Sequence, residues 1–125
     1  MAIPPRLEVE LRELGQALKI EVSENGDYVF LVLKDFPLGT TFNLPTSDLL
    51  LKVPKTYPEA APDMFWADER ITYSDGRIPQ AADNFEDILG KKWRRFSWHR
   101  PSWNPTFDNM HGHIEFIKAR LSKND

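Results

Sequence analysis

The sequence predicts an α+β fold with an N-terminal helix, a four-stranded antiparallel meander and a C-terminal helix on one face of the sheet. Three observations predict it. Leucines recur at helical spacing near the N-terminus, apolar strand-like runs flank an Asn-Gly turn, and an apolar helical stripe closes the chain. At 125 residues the chain is expected to form a single domain, residues 1–125.

The elements follow in order. Ile3 to Leu18 reads as a helix, with Leu7, Leu11, Leu14 and Leu18 on one side and Gly15 fraying its end. Ala17 to Val22 alternates Leu18, Ile20 and Val22 with Lys19 and Glu21, the pattern of a half-buried strand. Glu24-Asn25-Gly26-Asp27 reads as a type I′ hairpin turn. The return strand, Tyr28 to Lys34, is almost continuously apolar and is therefore assigned a central position. Leu49 to Val53 is the third strand and Met64 to Trp66 the fourth. Between them Pro54, Pro58 and Pro62 forbid a helix, because each removes a backbone donor and restricts the preceding residue.

Asp68 to Lys92 is weakly patterned, and Asn84 to Leu89 reads as one helical turn ahead of Gly90. Trp93 to Trp103 is dense in aromatic residues and arginine. The last helix places Met110, Ile114, Ile117 and Leu121 on one face and Lys118, Arg120 and Lys123 at its C-terminal end, where cations suit the macrodipole. Thr106 or Asp108 is placed to cap its start.

Composition narrows the function. A net charge of −3 argues against a general polyanion binder. No apolar run is long enough to span a bilayer, and the N-terminus lacks a secretory pattern, so a cytoplasmic location is expected. The chain has no cysteine, which removes disulfides, thiolate catalysis and cysteine-rich zinc motifs together. No cofactor is expected.

The run Leu49 to Trp66, an apolar strand, P-x-x-Y-P-x-x-x-P and a second apolar strand, resembles the centre of the ubiquitin-conjugating (UBC) fold. Its structural motif is Tyr57, Pro58 and Pro62, joined by Trp103 and Pro105, a W-x-P ahead of a helix. These matches cover roughly residues 7–121. Asp48 to Pro54, Tyr57 to Trp66, Asp75 to Pro79 and Trp93 to His99 are similar to a bacterial branch, the prokaryotic UBC-like family E. The resemblance implies genes beside ubiquitin-like proteins, activating-enzyme-like adenylating proteins and JAB-type metallopeptidases, in loci of bacterial ubiquitin-like modification and, in several cases, phage defence.

The departures bear on chemistry. UBC enzymes carry cargo as a cysteine thioester, and this chain has neither the cysteine nor a His-Pro-Asn motif. Counting back from Trp103 puts the expected cysteine near Arg95, whereas counting forward from Phe65 puts it near Pro79 to Ala81. The two counts imply an insertion. The resemblance therefore implies a catalytically inactive UBC-like partner, with no catalytic residue. It would hold the ubiquitin-like protein, or its adenylating or JAB-type enzyme. Trp93, Arg95, Trp98 and His99 are the candidate partner-binding residues, because Trp and Arg are enriched at interface hot spots. The bland alternative packs Trp93, Phe96 and Trp98 against the sheet and leaves the cations wet. Nucleic acid fits the acidic chain poorly, and no membrane partner is expected.

Two further alternatives stand. A transferase using Ser97 or Ser102, with His99 as base, needs an activated hydroxyl. A scaffold like the RWD domains needs no ubiquitin-like ligand at all, and fold alone does not decide between them. A metal site from His99, His111 and Asp108 lacks any established ligand spacing, so no metal is assigned.

Overall fold

The computed structural model describes residues 3–99 and 102–122. Lys123 and the Arg100-Pro101 step of the aromatic stretch lie outside them. The elements are α1 (Pro5–Leu14), β1 (Ile20–Asn25), β2 (Tyr28–Pro37), β3 (Thr46–Pro54), β4 (Phe65–Asp68), β5 (Asn84–Ile88), β6 (Lys91–Phe96) and α2 (Met110–Leu121). The architecture is α+β with a helix at each end, but the sheet has six antiparallel strands rather than four, in the order β1-β2-β3-β4-β6-β5. The first four form the meander; β5 and β6 form a hairpin that docks on it through β6.

That hairpin replaces the helical turn read at Asn84 to Leu89. Its two-residue loop is Leu89-Gly90, with φ of 54° and 76°. Positive φ at both central positions is the requirement of a type I′ turn, and a leucine there does not advertise it. The first hairpin departs too. Asn25 pairs with Tyr28, so the loop is Gly26-Asp27, and only Gly26 has positive φ (62°), which is the type II′ arrangement.

The first helix is shorter than read. It starts at Pro5, whose missing N–H costs nothing there, and stops before Gly15. Leu18 therefore precedes β1 outside the helix. The α2 cap is Asn109 rather than Thr106 or Asp108; its side chain accepts the Gly112 N–H at 2.9 Å.

Both helices cover one face of the sheet. Leu7, Met110, Ile114, Ile117 and Leu121 pack there with Leu31, Leu33, Leu49, Leu51, Phe65 and Phe96. The opposite face carries a second cluster of Phe30, Val32, Leu50, Trp66 and Trp93. Burial on both sides is why β2 reads as continuously apolar. Between Leu33 and Phe36 the β2–β3 register shifts, with Asp35 at φ 50° and its N–H on the Asp48 carboxyl at 3.0 Å. No helix among the described residues is long and apolar enough to cross a membrane.

Candidate partner-binding surface

The proline loop, α1 and the start of α2 meet around one buried carboxyl. Glu10 sits on α1 at 6 % exposure. It accepts the Tyr57 hydroxyl at 2.5 Å, the Met110 N–H at 2.9 Å and Arg6 Nε at 2.9 Å. Three donors offset the cost of burying the group. Met110 opens α2, so its N–H has no partner within the helix, and α1 supplies one. The arrangement leaves Tyr57 protonated: burial first, then the hydrogen bond to Glu10, push its phenol well above the ordinary value.

Each motif residue has a place around this centre. The Tyr57-Pro58 peptide is cis. The Pro58 carbonyl accepts Trp103 Nε1–H at 2.8 Å, and the Tyr57 and Trp103 rings lie 5.9 Å apart. Pro62 is buried. The Pro105 carbonyl accepts Arg6 Nη1 at 2.6 Å.

The two counts for the absent cysteine lead to neighbouring places. The segment carrying Pro79 to Ala82 docks on the chain just after β6: Ser97 N–H donates to the Ala81 carbonyl at 3.0 Å, and Trp98 Nε1–H to that of Gln80 at 2.6 Å. The β5–β6 hairpin follows Ala82 and ends before Ser97. Arg95 lies within its second strand, whereas Ala81 sits at the base with φ 58°. Nearby in sequence to the proline loop, Met64 is also left-handed, at φ 57°. Its neighbour Asp63 holds His99 Nδ1 at 2.9 and 3.0 Å from its two oxygens. Non-glycine residues in this region of φ are uncommon and are often held at functional sites.

Strand alternation divides the predicted segment. Trp93 and Arg95 face outward from the helices, where Trp93 joins the second cluster beneath Lys91, whose Nζ is 4.5 Å from the ring centre. Arg95 Nη1 pairs with Glu86 at 2.9 Å, and its Nε is buried without a hydrogen-bond partner. Trp98 lies in the helix-side core at 6 % exposure, edge-on to Phe65 and Phe96. His99 is exposed with Asp63. The four residues thus occupy three environments. Arg94 departs from the expectation of wet cations: it is 5 % exposed and donates to the carbonyls of Ala82 at 2.6 Å and Glu69 at 3.4 Å. Burial draws its guanidinium below the ordinary value, against the pull of Asp83.

The histidines do not converge. His111 Nε2 pairs with Glu13 at 3.0 Å, and His113 is buried against Trp103 and Phe116 rather than solvated. Asp108 instead accepts the Asn104 N–H at 2.6 Å.

Sequence reading missed Phe107. It is 76 % exposed, far more than any other large apolar residue described. It belongs to neither the stripe of α2 nor a strand, so periodicity gave no signal. An aromatic residue in a short polar turn, just after the W-x-P, is the signal that was available.

The description "Prokaryotic E2 family E" matches residues 4–124 in a comparison with family models. No curated protein and no solved structure matches the chain significantly.

Proposed function

The chain belongs to prokaryotic E2 family E, and from that premise we propose that it is a catalytically inactive UBC-like binding protein of a bacterial ubiquitin-like modification pathway. It holds the ubiquitin-like protein, or the adenylating or JAB-type enzyme that acts on it. The observation that carries this reading is the complete absence of cysteine from a chain whose Tyr57, Pro58 and Trp103 framework is intact. A scaffold kept without the thiol that would carry cargo is a scaffold kept for binding.

Phe107 supplies an anchor. An aromatic ring held out into water on an ordered turn gains most from burial in a partner, since it adds apolar area at little cost in side-chain freedom. His99 is exposed after the same scaffold's last strand. Titration calorimetry of the parent and of Phe107→Ala against a ubiquitin-like protein, an adenylating protein and a JAB-type metallopeptidase of such a pathway tests the reading. Binding to one of them, weakened at least about tenfold by the substitution, supports it; no binding to any of the three overturns it.

One observation favours a second reading, a transferase with a non-cysteine nucleophile. Asp63 fixes His99 through Nδ1, which leaves Nε2 as a base two residues from Ser97.

A further inference from the structure

We propose that Arg6 is a positioning residue: from α1 it fixes the turn that presents Phe107, and so couples the first helix to the binding surface. The inference rests on the reading of Phe107 as an anchor. Arg6 spends its guanidinium on three partners. Nε meets Glu10 at 2.9 Å, Nη1 the Pro105 carbonyl at 2.6 Å, and Nη2 the Asp108 carbonyl. Those two carbonyls bracket Thr106 and Phe107, so one planar group holds both ends of the exposed step.

The rest of the turn is tied locally. The Asn104 carbonyl accepts the N–H groups of Phe107 at 3.0 Å and Asp108 at 2.8 Å, and the Asn104 side chain accepts that of Thr106 at 2.9 Å. These bonds shape the turn, and its flanks are held by Trp103 Nε1–H on the Pro58 carbonyl and by the Met110 N–H on Glu10. Between those flanks Arg6 supplies the attachment to α1, and Glu10, already bound to Tyr57 and Met110, holds Arg6 in place. A rigid fork of five donors suits two carbonyls and a carboxyl at once, whereas an ammonium on a flexible stem reaches one or two. An anchor held in its bound geometry loses less entropy when it docks.

Arg6→Lys keeps the positive charge beside the buried Glu10, so the fold is retained, yet it cannot bridge both carbonyls. Amide hydrogen exchange on the full chain is the first measurement. The expected result is exchange about tenfold faster at Phe107 and Asp108, with Leu31 and Leu51 of the sheet unchanged. Unchanged exchange at Phe107 and Asp108 overturns the inference. So does a uniform rise across the sheet, which marks a merely structural role.

The second measurement is affinity for an adenylating protein of a bacterial ubiquitin-like pathway, used as the probe. Arg6→Lys is expected to weaken binding several-fold, in the same direction as Phe107→Ala. If Phe107→Ala weakens binding and Arg6→Lys does not, the positioning role fails and the anchor stands. If Phe107→Ala has no effect, the anchor fails, and the exchange data alone decide whether Arg6 holds the turn.

Discussion

Trp103 donates its indole N–H to the carbonyl of Pro58 at 2.8 Å, which joins the segment before α2 to the proline loop between β3 and β4. The same ring lies near both Tyr57 and His113, with ring centres 5.9 and 6.4 Å away. One half-buried side chain thus links the loop, the core tyrosine and the second helix.

Trp103→Ala removes both the ring and the bond. Truncating a fully buried tryptophan costs about 3–5 kcal/mol, and a half-buried one falls toward the lower end. That is a large share of the stability of a domain this size. A clear fall in melting temperature is expected. Trp103→Phe keeps much of the packing and loses the N–H, with an expected cost of about 1 kcal/mol. Parental stability in Trp103→Ala would show that the ring is not part of the framework.

Tyr57 makes stability depend on alkaline pH. Its folded-state pKa is raised above the ordinary value of 10.0, by burial first and by Glu10 second. Below pH 10 both folded and unfolded chains keep the proton, and the contribution is fully present. As pH rises past 10 the unfolded chain releases its proton while the folded one does not, so stability falls. Tyr57→Phe should therefore be less stable at neutral pH and show a shallower loss above pH 10. Denaturant unfolding at pH 7, 9.5 and 11 measures both effects; parallel curves for parent and variant would contradict them.

Local pattern was enough for the meander and for α2. Leu31, Leu33 and Val32 mark β2 as central because both faces of that strand are covered, and Met110, Ile114, Ile117 and Leu121 all reach the core. It was not enough for β5 and β6, whose hairpin depends on Leu89 taking a conformation that leucine seldom takes. Nor does Arg94 announce its burial, since the two carbonyls that receive it come from distant loops. The site was least legible. Glu10 and Met110 lie 100 positions apart, and no spacing rule connects a glutamate in a helix to the first amide of another.

The absence of a thiol predicts that no thioester forms. Incubation with the adenylating enzyme, ATP and the ubiquitin-like protein, followed by a non-reducing denaturing gel, should show no adduct. An adduct cleaved by excess thiol reductant would contradict this. An alkali-labile adduct that disappears in Ser97→Ala would favour the transferase reading and give the Asp63–His99 pair its role as base.

Arg95 tests whether the outward face of the sheet also binds. It pairs with Glu86 across the β5–β6 hairpin at 2.9 Å, above a cluster containing Trp66 and Trp93. Arg95→Glu opposes two like charges across neighbouring strands, which costs stability as well as any contact with a partner. Adding Glu86→Arg restores an opposite-charge pair with its sense reversed, at the loss of the Glu86 oxygen that also accepts Trp66 Nε1–H at 3.3 Å, while the charge offered to a partner stays reversed. If Arg95 meets a partner carboxylate at a hot spot, affinity should fall by at least about 2 kcal/mol, roughly thirtyfold, in both the single and the double variant. Circular dichroism and melting temperature establish that the double variant is folded. Parental affinity in the folded double variant would confine Arg95 to holding the hairpin together.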